Sequence, residues 1–260
     1  MQDISEKTQL DTPERSPVPD LAIATTMQQA LSSLESWDEG FNSWMASITY
    51  QLRLKSAEVE ALTTASKVGG WLSDKEASEL FKIASWVPEE NAVCCELGSW
   101  LGKSSVILGN AIKYKTNPKL YCIDPFDLLA NEPWHKECFQ EQAGPTSLTR
   151  KQVVADMLNA NGLSNIVELI EDFSENYINQ FDQAIDFLFI DADHSYESVL
   201  RDYNNWAPLV KSGGFIAFHD YHKEGGAHEG PRLAINESVV GNAQWSTQWL
   251  VDTLYVAQKA

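Results

Sequence analysis

Between residues 92 and 240 the sequence alternates five times between a short apolar run and a segment with helical spacing of its apolar residues. In chain order, strands are predicted at 92–98, 119–124, 166–170, 185–191 and 213–220, and helices at 103–114, 147–161, 174–181, 196–210 and 231–240. This alternation is typical of a mostly parallel sheet with helices on both faces. Because crossovers between parallel strands are right-handed, the carboxyl ends of the strands meet at one edge, where ligands bind. The sequence therefore predicts an α/β, doubly wound fold with a site at that edge.

The segments beside this alternation complete the predicted domain. The tail, QWSTQWLVDTLYVAQK at 244–259, has the pattern of a two-stranded hairpin and brings the predicted sheet to seven strands. Ser73 followed by Glu76 is a capping-box pattern, which begins a helix that ends before Pro88. We therefore assign residues 67–260 to the main domain.

Two further segments precede that domain. Apolar residues recur at helical spacing over 21–66, which predicts an N-terminal extension of two or three helices. These helices could cap the core, cover a pocket or mediate homo-oligomerisation, and the sequence does not choose among these roles. Residues 1–20 mix Ser, Pro and acidic residues without periodicity and are predicted to be a disordered lead.

Charge and composition narrow the expected partners and compartment. With 260 residues and a formal net charge of −18, the chain would repel phosphate backbones and anionic membranes, so neither partner is expected. No apolar run approaches the ~20 residues of a spanning helix, and residues 1–20 lack the basic and apolar segments of a secretory signal. Cys94, Cys95 and Cys122 fall in predicted strands, and no cysteine has metal-ligand spacing. These features predict reduced, buried thiols and a cytoplasmic protein.

A glycine-containing turn follows the first predicted strand, in the segment ELGSWLGKSS. It lacks the four-residue spacing of a P-loop, and Trp100 stands where a dinucleotide-binding turn has its second glycine. Gly98 and Gly102 would still let a ligand lie against bare backbone. Asp124 ends the second strand, where a carboxylate can accept hydrogen bonds from both hydroxyls of a ribose. A glycine cap with an ordinary turn acid is the alternative for either feature alone.

Strands four and five end in carboxylates and imidazoles. Asp191 and His194 follow strand four, and His219 and Asp220 end strand five, so the predicted topology brings them to one point. Crowded carboxylates at low dielectric repel each other unless a cation lies between them. The sequence therefore predicts a divalent metal held by Asp191, His219 and Asp220. Nearby Asp193 is interpreted as a helix cap near Tyr196, and His222 and His228 as solvated loop residues.

Glu-x-Gly-x-x-x-Gly-x-Ser followed by a strand-end Asp resembles the S-adenosylmethionine site of class I methyltransferases, from about residue 68 to the C-terminus. The resemblance implies a Rossmann-like, seven-stranded methyltransferase domain, with S-adenosylmethionine as its cofactor. Relatives often have Gly-Asp after strand three, whereas this chain has Asp172-Phe173. The cofactor-binding residues that the resemblance implies are Glu96, Gly98, Ser99, Gly102, Ser104, Asp124, Asp172 and Ser174.

The pattern Asp-x-Asp-His, then Gly-Gly and an apolar strand ending in two polar residues, resembles metal-dependent small-molecule O-methyltransferases, especially those that methylate sugar hydroxyls. The resemblance implies Asp191, His219 and Asp220 as metal ligands and His194 as the catalytic base. Magnesium or manganese is the expected ion. His219 stands where relatives usually carry a carboxylate, which favours manganese, iron or zinc over magnesium; that His219 is not a ligand stays open.

Residues 126–150 separate the second strand from its helix by more than such connections usually span, which suggests a lid or substrate wall. Trp134 and His135 within it could face an acceptor, and packing is the alternative for Trp134.

Together these features predict S-adenosylmethionine-dependent, metal-assisted methylation of a hydroxyl on a small molecule, a sugar-bearing or polyhydroxylated secondary metabolite. A hydroxyl is a weak nucleophile until it loses its proton, which explains a metal beside a base. The rivals are a metal-independent methyltransferase of the same fold, a catalytically silent cofactor-binding scaffold and a hydrolytic metal site. The ribose-type Asp124 argues against the last of these.

Overall fold

The structure is a computed structural model that describes residues 39–226 and 228–260. The predicted disordered lead and the part of the predicted extension before residue 39 lie outside the described residues. Residues 51–260 form one compact unit that contains the sheet and the helices beside it. Homo-oligomerisation through the N-terminal helices stays a prediction.

The described elements follow the predicted alternation. The strands are β1 (Val93–Leu97), β2 (Lys119–Asp124), β3 (Val167–Glu171), β4 (Ile185–Ile190), β5 (Val210–Phe218), β6 (Trp245–Val251) and β7 (Leu254–Lys259). The helices are α1 (Glu39–Ala65), α2 (Asp74–Ser85), α3 (Lys103–Ile112), α4 (Pro133–Ala143), α5 (Arg150–Ala160), α6 (Ser174–Tyr177), α7 (Tyr196–Trp206) and α8 (Glu229–Ser238). Short 3₁₀ turns occupy 126–129, 178–180 and 207–209.

The seven strands form one sheet in the order β3-β2-β1-β4-β5-β7-β6. Strands β1 to β5 are parallel, and the C-terminal hairpin adds β7 antiparallel to β5, with β6 outside it. The predicted α/β, doubly wound, mostly parallel seven-stranded sheet is confirmed. The strand order reverses beside β1, and in α/β sheets this switch point is where ligands bind.

The register brings four strand ends level with one another at the switch point. Leu97 of β1 pairs with Ile123 of β2 and with Ile190 of β4, and Ile190 pairs with Phe218 of β5. The residues that follow these four therefore leave the sheet side by side. They are Gly98, Asp124 at the last position of β2, Asp191 and His219, and all four are predicted site residues.

The core lies on both faces of the sheet. All six residues of β4 are buried, with Phe187 and Phe189 packed in one apolar cluster and Leu188 and Ile190 in the other. Burying each such side chain contributes roughly 1.5–3 kcal/mol. A strand buried on both sides need not alternate apolar and polar residues, which explains the apolar run at 187–190. The buried Asp186 is paired with Lys211 at 2.8 Å.

Helix α2 begins as its sequence predicts. Ser73 accepts a hydrogen bond from the Glu76 backbone, and the Glu76 side chain accepts one from the Ser73 backbone, which completes the capping box. Among the described residues, no helix has the length and apolar character needed to cross a membrane.

The connection over 126–150 differs from the expected long loop because it contains α4. Pro133 occupies the first turn of α4, where its missing N–H costs nothing. No residue of α4 is buried, so the apolar periodicity that reveals most helices is absent. Pro133 is the sequence feature that could have indicated the start of this helix.

Candidate active site at the carboxyl edge of the sheet

The turn after β1 rests directly on the backbone that follows β4. Gly98 has φ +88°, and a Cβ built on it would lie 2.1 Å from the Asp191 carbonyl oxygen. Any side chain at this position would force the two segments apart. The absence of a side chain at Gly98 therefore allows the predicted cofactor-binding turn to contact the backbone of Asp191, a predicted metal ligand.

Glu96 lies beneath this turn as a completely buried carboxylate. Its Oε2 accepts hydrogen bonds from the hydroxyls of Ser99 and Ser105, and burial raises the pKa of Glu96. Its Oε1 is buried without a hydrogen-bond partner among the described residues. This atom has almost no exposed surface, so Glu96 supports the turn from inside the protein, and its contact with a cofactor stays a prediction. Ser104, a further predicted cofactor contact, is also buried.

Asp124 anchors the same turn. Its Oδ2 accepts hydrogen bonds from the Ser99 and Trp100 backbone at 2.8 and 2.9 Å. Its Oδ1 accepts from the Phe126 backbone at 2.6 Å and from Arg150 Nη2 at 2.8 Å. A ribose hydroxyl would have to displace one of these four donors, so ribose binding by Asp124 stays a prediction. The sequence analysis missed Arg150, which is remote in sequence and carries no motif.

The two predicted contacts after β3 are engaged within the protein. Asp172 accepts hydrogen bonds from the Phe173 backbone and from Asn176. The Ser174 hydroxyl donates to Asp202 Oδ1 of α7. Both side chains thus stabilise the start of α6 and its contact with α7, and their adenine contacts stay predictions.

Asp202 gives a test of this contact through pH. Burial raises the pKa of Asp202 to about 6, although the Ser174 hydrogen bond opposes the shift. Between the unfolded pKa of ~3.9 and this value, the folded chain binds more protons than the unfolded chain, so stability falls as pH rises. We expect Asp202→Asn to raise the free energy of unfolding at pH 7.5 by about 2 kcal/mol and to change it little near pH 4.

Urea unfolding at both pH values would measure this effect. Asp156→Asn, which removes an exposed carboxylate from α5, is the matched control and should have no such pH dependence. Equal effects of the two substitutions would contradict a raised pKa at Asp202.

Asp191, His219 and Asp220 converge where β4 and β5 end. His219 Nδ1 lies 3.3 Å from Asp191 Oδ1 and 3.4 Å from Asp220 Oδ2. One ligand atom from each of the three residues lies within 4.8 Å of the others. Asp220 has φ +60°, a conformation that costs a non-glycine residue energy and is typical of functional sites. The predicted meeting of these side chains is present in the structure.

Glu76 orients His219, a role that the sequence analysis did not identify. Its Oε2 lies 3.3 Å from His219 Nε2, while its Oε1 accepts hydrogen bonds from the backbone and hydroxyl of Thr253. Although burial opposes it, the hydrogen bonds from His219, Thr253 and Ser73 lower the pKa of Glu76 to about 2. An ionised carboxylate facing Nε2 keeps a proton on that nitrogen, so Nδ1 faces Asp191 and Asp220. Metal-binding histidines are commonly oriented by a carboxylate in this way.

His194 lies at the same cluster. Its Nε2 is 2.9 Å from Asp220 Oδ2 and 3.9 Å from Asp191 Oδ1, yet this buried atom makes no aligned hydrogen bond with a described residue. Burial would lower the pKa of His194, but Asp191 and Asp220 outweigh burial and raise it to about 9. The imidazoles in turn hold the pKa of Asp220 far below its usual range, against the effect of burial.

Asp193 does not cap α7 directly. It accepts a hydrogen bond from the Ser195 backbone at 2.7 Å, and Ser195 is the residue that caps α7. The interpretation of Asp193 as the cap is therefore displaced by two residues, although its side chain does serve the turn that leads into the helix.

The 126–150 connection encloses a cavity whose lining residues all come from this segment. This cavity has a volume of about 550 Å³, and His135, Lys136, Phe139 and Arg150 are among its lining residues. The Trp134 ring stacks on that of Trp71 at 5.9 Å, and more than half of each side chain is exposed. The role of this segment as a lid or substrate wall stays a prediction, as does its contact with an acceptor.

Part of the chain is similar to known proteins. Residues 95–221 match the family model of a methyltransferase domain. The chain is also 43% identical over 143 residues to the uncharacterized protein R132 of Acanthamoeba polyphaga mimivirus, which covers 55% of this chain. The matched part spans 57% of that relative's length.

Two solved structures show the same fold. The O-methyltransferase from Bacillus cereus, in complex with SAH, has a TM-score of 0.52 at 12% identity, covering 90% of this chain and 97% of its own. The O-methyltransferase TomG from Streptomyces achromogenes, in complex with SAM, has a TM-score of 0.52 at 14% identity, covering 78% of this chain and 89% of its own. Residues 95–221 thus match a methyltransferase domain, and the two solved structures share its fold. At such identities the neighbours do not identify an acceptor or a metal.

Proposed function

We propose that this protein transfers the methyl group of S-adenosylmethionine to a hydroxyl oxygen of a small molecule, with a divalent cation held by Asp191, His219 and Asp220. The observation that carries the proposal is the meeting of two strand ends beside the glycine turn. One strand end supplies Asp191 and the other supplies His219 and Asp220, with ligand atoms within 4.8 Å of each other. The turn that would hold the cofactor touches Asp191 through Gly98.

The donor set suits a divalent cation. Two carboxylate oxygens and one imidazole nitrogen are ligands for manganese, iron or zinc. Glu76 directs the Nδ1 atom of His219 toward the carboxylates, and the ionised Asp220 already faces the same point. When bound there, the cation would lower the pKa of an acceptor hydroxyl that coordinates it.

His194 is the proposed base. Its Nε2 atom accepts the hydroxyl proton, the acceptor oxygen forms a bond to the methyl carbon, and the carbon–sulfur bond breaks to release S-adenosylhomocysteine. Asp191 and Asp220 hold the resulting positive charge on the imidazole, since both carboxylates face it. The turn at Gly98 positions the methyl donor against this group, and such positioning is a large part of the work in methyl transfer.

The acceptor belongs to the class of sugar-bearing or polyhydroxylated small molecules. Two neighbouring hydroxyls on such a molecule can chelate a cation whose protein ligands all lie on one side. A net charge of −18 disfavours a nucleic-acid acceptor, because the phosphate backbone would be repelled.

A second candidate is a methyltransferase of the same fold that works without a metal, and one observation favours it. Burial would lower the pKa of His219, but Asp191, Asp220 and Glu76 outweigh burial and raise it to about 12. A permanently protonated His219 would itself supply positive charge between the carboxylates. In that case His219 is not a ligand, and the hydroxyl is activated by His194 alone.

Calorimetry with S-adenosylmethionine, repeated with Mg²⁺, Mn²⁺ and EDTA and followed by turnover assays, separates these candidates. We expect the cofactor to bind in every condition, because the glycine turn does not use the proposed ligands. We expect EDTA to lower turnover by at least about 100-fold and added cation to restore it, since the hydroxyl loses its activation.

Asp191→Asn should lower Mn²⁺ affinity, whereas Asp193→Asn, in the neighbouring turn, should leave that affinity unchanged. Failure of the cofactor to bind in any condition would end the proposal as a whole. Turnover that resists EDTA would select the metal-independent candidate.

A further inference from the structure

A second set of ligand-type side chains shares Asp220 with the proposed cation site. One ligand atom from each of His194, Asp220 and His228 lies within 4.8 Å of the others. We propose that these three side chains form a separate site for a borderline divalent metal ion such as Zn²⁺, and that filling it withdraws His194 from proton transfer. The sequence analysis interpreted His228 as a solvated loop residue.

Close backbone packing fixes His228 beside His194. A Cβ built on Gly230, in the first turn of α8, would lie 2.2 Å from the His194 carbonyl oxygen and 2.6 Å from the Tyr196 backbone nitrogen. The start of α8 therefore rests on the backbone that follows β4. His228 immediately precedes α8, and its ring centroid lies 4.5 Å from that of His194.

The contact between His194 and Asp220 brings two ligand-type atoms together. Their Nε2 and Oδ2 atoms are 2.9 Å apart, yet Nε2 has no aligned hydrogen-bond partner among the described residues. At this separation both atoms can contact one ion together with an atom of His228. His222 contacts the other carboxylate oxygen, Asp220 Oδ1, at 3.0 Å, and so orients the Asp220 carboxylate.

The donor set selects the class of ion. Two imidazole nitrogens and one carboxylate oxygen suit zinc, iron or nickel, whereas magnesium prefers oxygen ligands and keeps its waters. The consequence for catalysis rests on the function proposed above, in which His194 Nε2 accepts the hydroxyl proton. A metal ion on that nitrogen would occupy the same lone pair, so excess Zn²⁺ would inhibit methyl transfer.

Titration of the whole protein with ZnCl₂ by calorimetry, and with CoCl₂ by visible absorption, tests the site without any activity assay. We expect His228→Ala to lower Zn²⁺ affinity by at least about tenfold and to weaken the Co²⁺ bands, because an imidazole ligand is lost. His135→Ala, which removes an imidazole from α4, is the matched control and should leave both unchanged. Circular dichroism would verify that each variant is folded.

The result that would overturn the proposal is Zn²⁺ affinity that survives His228→Ala and is lost in His219→Ala, since zinc would then occupy only the Asp191–His219–Asp220 set. In turnover assays, His228→Ala should keep its basal rate and require about tenfold more Zn²⁺ for half-inhibition. Equal inhibition of wild type and variant would contradict the proposed role. If the protein proves to have no methyltransferase activity, the metal titrations alone decide whether the site exists.

Discussion

His194→Ala is expected to lower kcat by about 10²- to 10⁴-fold, the range for loss of a general base, while the Kd for S-adenosylmethionine stays within about twofold. The imidazole faces Asp191 and Asp220, and the glycine turn is anchored by other residues, chiefly Asp124. Removing the imidazole therefore removes a proton acceptor without disturbing the turn. Calorimetry and steady-state turnover on the same preparations would measure the two effects.

The pH profile provides the control for this prediction. A base acts only when deprotonated, and the neighbouring carboxylates raise the pKa of His194 to about 9 despite its burial. The rate of the wild type should therefore rise with pH toward this value. Added cation should move the rise to lower pH, because it offsets the carboxylate charge. His194→Ala should lose this rise, and undiminished turnover in the variant would remove His194 as the base.

Gly98→Ala is expected to destabilise the protein by roughly 3 kcal/mol or more, since it combines strain at positive φ with a clash against backbone. Its Cβ would meet the Asp191 carbonyl oxygen at 2.1 Å, the Asp191 carbonyl carbon at 2.6 Å and the Ala192 Cα at 2.8 Å. None of these atoms belongs to a flexible side chain, so β1 and β4 must separate at their ends. Folded variant should bind S-adenosylmethionine at least about tenfold more weakly.

Gly162→Ala is the matched control because Gly162 also has positive φ, at +70°, but has no atom within 4 Å of the position a Cβ would take. It should cost only about 1–2 kcal/mol, the cost of the left-handed conformation alone. Urea unfolding and cofactor calorimetry on both variants would distinguish the cost of the left-handed backbone conformation, which both share, from the cost of the backbone clash, which only Gly98→Ala has. Equal stability losses in the two variants would show that the turn does not depend on contact with Asp191.

Much of the fold could be predicted because its signals are local. The capping box of Ser73 and Glu76 lies within one helical turn, and the apolar run at 187–190 of β4 reflects burial on both faces. Parallel strands connected by right-handed crossovers have their carboxyl ends at the same edge of the sheet, and this does not depend on the identity of the side chains. This rule was enough to predict that Asp191, at the end of one strand, lies near His219 and Asp220, at the end of the next.

The roles of individual polar side chains could not be predicted in the same way. The contact of Ser174 with a cofactor stays a prediction, and the sequence did not indicate that its hydroxyl donates to Asp202 of α7. Asp124 was expected to face a ribose, and four protein donors surround it, including the unforeseen Arg150. Helix α4 escaped detection because it buries no residue, and a helix without a buried face leaves no periodic pattern.

Local signals in the chain were enough to predict the strand–helix order and the residues at the carboxyl edge, because hydrophobic periodicity, caps and parallel topology depend on near neighbours. What each polar atom faces there emerged from the folded protein: Glu76 contacts His219 from 143 residues away, and His228 lies against His194 through the close approach at Gly230. Such pairings follow from how helices pack on the sheet. The packing of helices on the sheet depends on core residues from the whole chain, so a local sequence pattern does not predict these contacts.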